Sequence, residues 1–397
     1  MLQVVTRQDA LQIIKENTTQ ILAVESVPLQ ESLGRTLAED IVSVENVPSF
    51  NRTTVDGYAV KAADTFGATD AAPAQLEIIG EIHMGEHAAF PLKSGQCAKI
   101  STGGMLPPGA DAAVMVEHTD TADNLCLVYK SVAPFENITK KGDDILSGTT
   151  ALKRGTRITT AETGVLAALG IMEVPVFKMP VIAILSTGDE IVSGAPQPGQ
   201  IRDVNTHLLT AAATARGCTV LPYGAVKDER ETILAALKEC INKADIVLIS
   251  GGSSAGTKDM TVDILDTLGK VYFHGIAMKP GKPTIFGKVQ GKPVFGLPGH
   301  PLAAYFVFRL IVGEYIRFLT GAPAEKPTNR ARLALNIPSN HGREEFLCVT
   351  YNETGELVPV HTKSGIISVL CEAQGFIGID RNSEGVEKGT KVEVYKL

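Results

Sequence analysis

Residues 245–259 read DIVLISGGSSAGTKD, and this stretch decides the fold. Its residues 246–249 are four consecutive apolar side chains, mostly β-branched, which is typical of a strand buried on both faces of a parallel sheet. Small residues follow, and apolar residues then recur at helical spacing from Met260 onward. The pattern predicts a strand, a tight loop and a helix that Thr257 caps and Gly269 ends.

Two interpretations of the loop at residues 250–256 are open. The first is an anion cradle, because unpaired backbone N–H groups and the positive end of a helix dipole would point at one spot. The second is a tight turn that only links the strand to the helix. The stretch alone favours neither, so the neighbouring segments have to decide between them.

The composition limits the class of protein. A chain of 397 residues predicts two to four domains, and 44% hydrophobic with 20% charged residues is typical of a soluble globular protein. A formal net charge of -7, without a long run of Lys or Arg, argues against nucleic-acid binding. Six scattered cysteines without a C-x-x-C pair predict reduced thiols in a cytoplasm. No window resembles a signal peptide or a membrane span, so we expect no membrane partner.

The first half of the chain predicts a short helix and a small β domain. Residues 6–17 form an amphipathic pattern with Thr6 as its cap. Residues 72–143 are short alternating segments punctuated by Gly and Pro, which is typical of a small β domain, and residues 99–117 predict two of its strands with a loop between them. Residues 56–57, Asp-Gly, have the composition of a hairpin turn.

From Val181 onward, strands and helices alternate, which predicts an α/β domain with a parallel sheet. Asp228 and Glu231 have the spacing of a capping box, and Pro301 suits the first position of a helix. Residues 322–327 have the composition of a linker, and short alternating segments after it predict a small C-terminal β domain. The predicted strands of the α/β domain are 181–185, 219–226, 246–249 and 273–277, followed by a hairpin at 284–288 and 292–296.

Four loops carry the residues that could do chemistry. In an open α/β sheet, ligands bind beyond the carboxyl ends of the strands. The loops at that edge offer backbone N–H groups, lysines and carboxylates, which suit a phosphorylated or oxyanion ligand together with a divalent metal. The loops are residues 186–190, 250–259, 279–283 and 297–301, and their charged residues include Asp189, Glu190, Asp259, Lys279 and Lys282.

Each of these residues also has an ordinary structural explanation. Asp259 would complement a helix dipole, and lysines around a Pro-Gly turn are common at protein surfaces. Asp56 and Asp144 lie in polar turns, where Asp is the expected residue. The chain has no Walker loop, no Rossmann G-x-G-x-x-G and no nucleophile elbow, which excludes three common classes of enzyme.

Several short motifs, each of low specificity alone, are specific in their number and order. The sequence resembles the MoeA family of molybdopterin molybdenumtransferases, whose relatives include the C-terminal part of gephyrin. The resemblance covers nearly the whole chain. The matching segments are LGRTLAEDI, VDGYAV, ISTGGMLPPGADAAVMVE, KKGDDI, LSTGDEIV with PGQIRDVNTHLL, ISGGSSAGTKD, MKPGKPTIFG, KPVFGLPGHP, GREEF and SGIISV.

The resemblance implies a multidomain α/β plus β fold. Its centre is a doubly wound α/β (MogA-like) domain, with a small inserted β domain before it and a C-terminal β-barrel-like domain after it. A related adenylyltransferase shares only the α/β domain, so the flanking domains favour the metal-inserting enzyme. The implied boundaries are 1–45 and 146–178 for a discontinuous first domain, 46–145 for the inserted β domain, 179–325 for the α/β domain and 326–397 for the C-terminal domain.

The resemblance also implies an activity. Members of the family take adenylylated molybdopterin and molybdate, release AMP with the help of Mg²⁺, and leave the metal on the dithiolene sulfurs. They are elongated homodimers in which the β-rich half of one chain faces the α/β domain of the other, so the active site would be shared. Molybdopterin adenylyltransferase and apo-molybdoenzymes are further expected partners.

Residue roles carry over by matching positions. Asp189, Glu190 and Asp259 would hold the metal, while Lys279, Lys282 and Pro283 would form the molybdate pocket, approached by Arg343 and Ser368. The implied catalytic residues are Asp56, Glu190, Asp259, Lys279 and Lys282. The implied substrate-binding residues are Thr102, Asp144, Ser186, Thr187, Gly188, Asp189, Ser250, Gly251, Gly252, Ser254, Pro283, Pro298, His300, Pro301, Arg343 and Ser368.

The chain departs from the family pattern at several positions. Residues 53–55 are Thr-Thr-Val where Ser-Ala-Met is usual, His300 stands where Asn usually caps a helix, and Cys348 replaces a usual basic residue. These departures leave a preference for tungstate over molybdate open. A non-catalytic scaffold on the same fold and the adenylyltransferase half-reaction are open as well.

Overall fold

The chain divides into two compact units in its computed structural model, which describes residues 4–18, 22–192, 194–251, 255–360 and 365–397 and, for residues 255–259, the backbone alone. The first, here called the α/β unit, comprises Met1–Glu39, Arg154–Thr159 and Glu173–Leu397. The second, the β unit, comprises Asp40–Lys153 and Thr160–Met172. The finer division into five segments stays a prediction.

The chain begins in the α/β unit with a helix whose prediction is confirmed. Helix α1 spans Arg7–Glu16, and the Thr6 side chain caps it by accepting a hydrogen bond from Asp9 N. Strand β1, Val24–Pro28, follows and leads into a 3₁₀ helix at Leu29–Glu31.

The β unit contains a six-stranded sheet with the order β7-β4-β6-β5-β9-β8. All but one of its strand pairs are antiparallel; the exception is β5 with β6. The elements are β2 Ile41–Val42, β3 Arg52–Thr53, β4 Gly57–Val60, β5 Ala74–Ile82, β6 Gln96–Ile100, β7 Ala112–Met115, β8 Thr119–Ala122, β9 Leu125–Val128, β10 Ile138–Thr139, β11 Thr150–Leu152 and α2 Thr160–Ala168, with 3₁₀ helices at Ala62–Thr65 and Val116–His118.

The interpretation of Asp56-Gly57 as a hairpin turn was wrong. Gly57 begins strand β4, which lies between β6 and β7. Its φ is +157°, and a Cβ at this position would stand 1.9 Å from the carbonyl oxygen of Val114. The glycine therefore permits two strands to approach each other closely. The Asp-Gly dipeptide alone does not show whether the glycine lies in such a strand pair or in a turn.

The sheet of the α/β unit has the order β16-β13-β17-β21-β20-β18. The first four strands are parallel, whereas β20 is antiparallel to both β21 and β18, so the sheet is mixed rather than wholly parallel. The elements are β12 Glu173–Phe177, β13 Val181–Thr187, β14 Ile191–Val192, β15 Ile201–Arg202, α3 Val204–Thr214, β16 Thr219–Val226, α4 Arg230–Lys243, β17 Ile246–Gly251, α5 Ala255–Leu268, β18 Gly269–His274, β19 Met278–Lys279, β20 Ile285–Val289, β21 Lys292–Leu297, α6 Pro301–Val307, a π-helical turn Phe308–Val312, and α7 Gly313–Thr320.

Strand β17 is buried on both faces, as the sequence predicted. Ile246 and Leu248 belong to one hydrophobic core of the unit, and Val247 and Ile249 belong to the other. Because side chains alternate along a strand, this division places one core on each face of the sheet. Strand β18 runs in the same direction as β21, since both are antiparallel to β20. The carboxyl ends of β13, β17, β18 and β21 therefore share one edge.

Two predicted helix starts were wrong. Helix α5 begins at Ala255, so Thr257 lies inside its first turn. Helix α4 begins at Arg230 after Glu229 and has no side-chain cap hydrogen bond. Glu231 is consequently the second helical residue, one position too early for a capping box with Asp228. In both cases the helix begins at a different residue from the one that the capping residue types had indicated.

The C-terminal segment forms short strands around β24, which pairs antiparallel with β25 and β26. Strand β24 also pairs in parallel with β19, with Lys279 opposite Glu345. The elements are β22 Asn329–Arg332, β23 Ile337–Pro338, β24 Glu344–Tyr351, β25 Leu357–Pro359, α8 Val369–Glu372, β26 Gly375–Ile379, β27 Gly385–Val386 and β28 Lys391–Val394. Within the described ranges, every helix is too short or too polar to cross a membrane.

Candidate functional site

The carboxyl ends of β13 and β17 form a small buried platform, here called the strand-end seat and defined by Ser186, Thr187, Ser250 and Gly251. Ser186 is paired with Ser250, and Thr187 with Gly251. The hydroxyl-bearing members are almost fully buried. Short polar side chains and a glycine thus stand at the carboxyl edge of the sheet, where ligands bind in open α/β folds.

Hydrogen bonds from the start of α3 fix the strand-end seat. Ser186 Oγ donates to Asp203 Oδ1 over 3.0 Å and lies 2.8 Å from Thr206 Oγ1. The Asn205 amide Nδ2 donates both to Ser250 Oγ and to the carbonyl oxygen of Gly299, each at 2.8 Å. One buried side chain thus ties together the ends of β17 and β21.

Sequence reasoning missed Asp203, which caps α3, and Asn205 and Thr206 in its first turn. The segment D-V-N-T at 203–206 was part of the family resemblance, yet it received no role. A signal was present, because Asp is a preferred N-cap residue, and Asp203 does accept from Thr206 N. The bonds of Asn205 could not be found in this way, since its partners are distant in sequence.

Replacing Asn205 by alanine is expected to destabilise the α/β unit by about 2 kcal/mol, because the buried Ser250 hydroxyl and the half-buried Gly299 carbonyl lose a donor. Urea unfolding followed by circular dichroism measures the change. Asn329→Ala is the matched control: Asn329 pairs with the Tyr351 hydroxyl at an exposed site and should cost about 0.5 kcal/mol or less. Equal losses in the two variants would contradict the assigned role of Asn205.

The predicted acidic residues lie on the loop after β13. Asp189 and Glu190 are exposed, and Asp189 Oδ1 accepts from Asp228 N over 3.2 Å. Glu190 Oε2 folds back over the backbone, 2.9 Å from where a Cβ on Gly188 would stand. Gly252 and Ser254 lie outside the described residues, as does the side chain of Asp259.

The carboxylates of Asp189 and Glu190 could hold Mg²⁺ together with a phosphorylated substrate. No group of three or more His, Cys, Asp or Glu side chains among the described residues could hold a metal ion. Mg²⁺ is, however, commonly held by one or two carboxylates plus substrate phosphates. The carboxylates of Asp189 and Glu190, which are neighbours in sequence, match that requirement.

Six predicted residues meet in one cavity of about 650 Å³, here called the lysine cavity. It is lined by the segment after β18, by the residues ahead of α6, by α6 itself, and by the start of β24. Of the predicted residues, Pro301 begins α6 and Ser368 precedes α8, and neither lines it. The predicted residues that line it are Lys279, Lys282, Pro283, Pro298, His300 and Arg343.

The inner wall of the lysine cavity is apolar. Leu302, Phe306 and Phe346 contribute to it, together with Cys348. Burial raises the pKa of the Cys348 thiol to about 11, so this side chain is neutral at pH 7. This side chain therefore adds no charge to the cavity.

Glu345 is a functional candidate that sequence reasoning missed. Its carboxylate lines the lysine cavity and is only 6% exposed. Lys279 Nζ lies 2.6 Å from Glu345 Oε1, and Ser339 Oγ donates to Oε2 over 2.7 Å. The pairing of β19 with β24 creates this contact, and no local sequence pattern indicates that pairing.

The predicted residues of the β unit fall in two places. Asp56 Oδ1 accepts a hydrogen bond from Thr102 N over 2.7 Å, so these two are adjacent. Asp144 lines a separate depression of about 460 Å³ together with Gly142 and Asp143. The backbone N–H of Asp144 donates to Val47 O, which ties this segment to a part of the chain distant in sequence.

Comparison with known proteins covers nearly the entire chain. Family models match residues 5–170 (MoeA N-terminal region, domains I and II), 183–317 (probable molybdopterin binding domain) and 330–397 (MoeA C-terminal region, domain IV). The molybdopterin molybdenumtransferase of Bacillus subtilis is 35% identical, with 94% of this chain and 90% of that protein covered. Two crystal structures of Pyrococcus horikoshii molybdopterin biosynthesis MoeA proteins are similar: one with a TM-score of 0.85 and 32% identity over 100% of both chains, the other with 0.79 and 39% over 99% of both.

Proposed function

Because this chain belongs to the MoeA family, we propose that it is a molybdopterin molybdenumtransferase of molybdenum cofactor biosynthesis. In this proposal it inserts molybdate into adenylylated molybdopterin and releases AMP. The observation that carries it is the lysine cavity, in which Lys279, Lys282 and Arg343 converge.

The lysine cavity supports the oxyanion half of the proposal. Molybdate is a tetrahedral dianion, which is bound by cations and N–H donors. Lys282 and Arg343 line the cavity, and no carboxylate partner of either is found in the described part of the chain. Their charges are consequently available to an incoming anion.

The strand-end seat supports the phosphoanhydride half. Backbone N–H groups at the ends of β13 and β17 would receive phosphate oxygens, and Asn205 and Ser186 keep those ends in place. Asp189 and Glu190 would hold Mg²⁺ together with those oxygens. When bound, Mg²⁺ supplies neutralisation of the negative charge on the departing AMP.

The β unit is assigned a role across a dimer. We propose that the protein is a homodimer in the cytoplasm, in which Asp56, Thr102 and Asp144 of one protomer serve the site of the other. The resemblance to the family supports the dimer, and six free cysteines support the cytoplasmic location. Molybdopterin adenylyltransferase would supply the substrate, and apo-molybdoenzymes would receive the product. Light scattering that shows a single chain in solution would refute the dimer.

Glu190→Gln tests the proposed function. We expect the wild type, incubated with adenylylated molybdopterin, Mg²⁺ and molybdate, to release AMP, and the variant to do so at least about 100-fold more slowly, because one carboxylate charge is lost from the metal side. Chromatography of the released AMP measures both rates. Glu239→Gln, which alters a surface carboxylate paired with Lys243, should retain the wild-type rate.

No AMP release by the wild type would defeat the proposal and favour a non-catalytic scaffold on the same fold. AMP transfer from ATP to free molybdopterin would identify the adenylyltransferase reaction instead. Replacing molybdate by tungstate in the same assay determines which metal the enzyme prefers.

A further inference from the structure

The lysine cavity contains three cations and one buried anion. Lys279, Lys282 and Arg343 are positive and Glu345 is negative, which leaves a net charge of +2 among its ionised side chains. Lys279 is half exposed but is already paired with Glu345 at 2.6 Å. Among the described residues, two positive charges of the cavity are therefore left without a carboxylate partner, the number that a dianion requires.

We propose that Glu345 is a specificity-determining residue that sets the charge selectivity of the lysine cavity for divalent oxyanions. The proposal rests on the proposed function, because it names the property by which the same cavity selects its oxyanion. Glu345 does so by compensating Lys279, so that an anion with more than two negative charges gains no further cation and is repelled by the carboxylate.

Strand pairing and hydrogen bonds fix the position of the Glu345 carboxylate. The β19–β24 pairing places Lys279 and Glu345 opposite each other, so the ion pair is built into the sheet. An ammonium and the Ser339 hydroxyl each donate to one carboxylate oxygen, as donors do to an ionised carboxylate. With 6% of its side chain exposed, Glu345 acts at short range and with little screening by solvent.

Size does not provide this selection. A cavity of about 650 Å³ is as large as the sites that hold drug-sized ligands, and it admits ions considerably larger than a tetrahedral oxyanion. Pyrophosphate, with more than two negative charges at pH 8, would fit as well. Since both ions fit, we expect the cavity to distinguish molybdate from pyrophosphate by their charge.

The neighbouring residue provides a matched control. Glu344 is a half-buried glutamate of β24 in an ion pair, but its partner is Arg7 and it does not line the lysine cavity. Glu344→Gln therefore removes an equivalent charge one residue away without changing the charge of the cavity. Ser339→Ala removes a hydrogen bond from Glu345 but leaves its charge in place.

The experiment is isothermal titration of the full-length protein with molybdate and with pyrophosphate, without Mg²⁺, at pH 8. For Glu345→Gln we expect the ratio of the two affinities to shift towards pyrophosphate by about tenfold, since each additional anionic charge no longer faces the carboxylate. Glu344→Gln and Ser339→Ala should keep the wild-type ratio within about twofold. Lys279→Met lowers the net charge and should shift the ratio towards molybdate.

A shift of less than threefold in Glu345→Gln overturns the proposal, and so does an equal shift in Glu344→Gln. If Glu345→Gln does not fold, Lys279→Met decides, and an unchanged ratio in that variant overturns it. This experiment can fail independently of the proposed function. If the wild type releases AMP but Glu345→Gln leaves the ratio of the molybdate and pyrophosphate affinities unchanged, only the role of Glu345 is refuted. If Glu345→Gln shifts this ratio but the wild type releases no AMP, only the catalytic function is refuted.

Discussion

Substitution of Lys282 by alanine is expected to lower the rate of molybdate transfer by about 100-fold or more. Lys282 lines the lysine cavity, and unlike Lys279 it has no carboxylate partner among the described residues. It is therefore the lysine whose charge is free to act on an oxyanion. Loss of one charge-assisted donor at a reacting group commonly costs about 3 kcal/mol, which corresponds to a rate change of this size.

Lys270→Ala is the control for this substitution. Lys270 lies over the ring of Tyr272 in β18 and does not line the lysine cavity. We expect it to retain the wild-type rate, and we expect both variants to unfold at the wild-type urea concentration. A Lys282→Ala enzyme that transfers molybdate at more than one tenth of the wild-type rate would show that the oxyanion is bound elsewhere.

The second large effect is on stability. Gly251→Ala is expected to destabilise the protein by about 4 kcal/mol and to distort the strand-end seat. Gly251 has a φ of +153°, and a Cβ there would stand 2.2 Å from Thr187 Oγ1 and 2.3 Å from Thr187 O. One of these atoms belongs to the backbone of β13, so the clash cannot be relieved by a side-chain rotation.

Gly291→Ala separates this clash from the general cost of a positive φ. Gly291 has a φ of +80° in the turn of the β20–β21 hairpin, and a Cβ there would meet nothing within 4 Å. Its replacement should cost about 1 kcal/mol. Urea unfolding of both variants measures the difference, and similar losses in the two would mean that the contact with Thr187 relaxes.

The sequence predicted those parts of the fold that follow from local pattern. Four consecutive apolar residues indicated that β17 is buried on both faces, and the structure assigns alternate residues to two cores. The hairpin predicted at 284–288 and 292–296 is present, and Gln290 and Gly291 between its strands both have the positive φ of a tight turn. Gly57 was misinterpreted because a tight strand pair and a turn both require glycine.

The site was predictable only where its residues are close in sequence. Lys279 and Lys282 stand in one segment, so their meeting in the lysine cavity could be inferred. Glu345 and Asn205 could not, since their partners are brought to them by strand pairing and by helix packing over long separations. Contacts between residues so distant in sequence can be predicted only when the whole fold is known.

In the proposed function, the lysine cavity binds the oxyanion. The most direct test is a crystal structure grown with molybdate, in which anomalous scattering at the molybdenum edge locates the ion. We expect a single strong peak in the lysine cavity within ion-pair distance of the Lys282 ammonium and the Arg343 guanidinium. A cavity without a peak, with molybdate bound at another part of the surface, would contradict it.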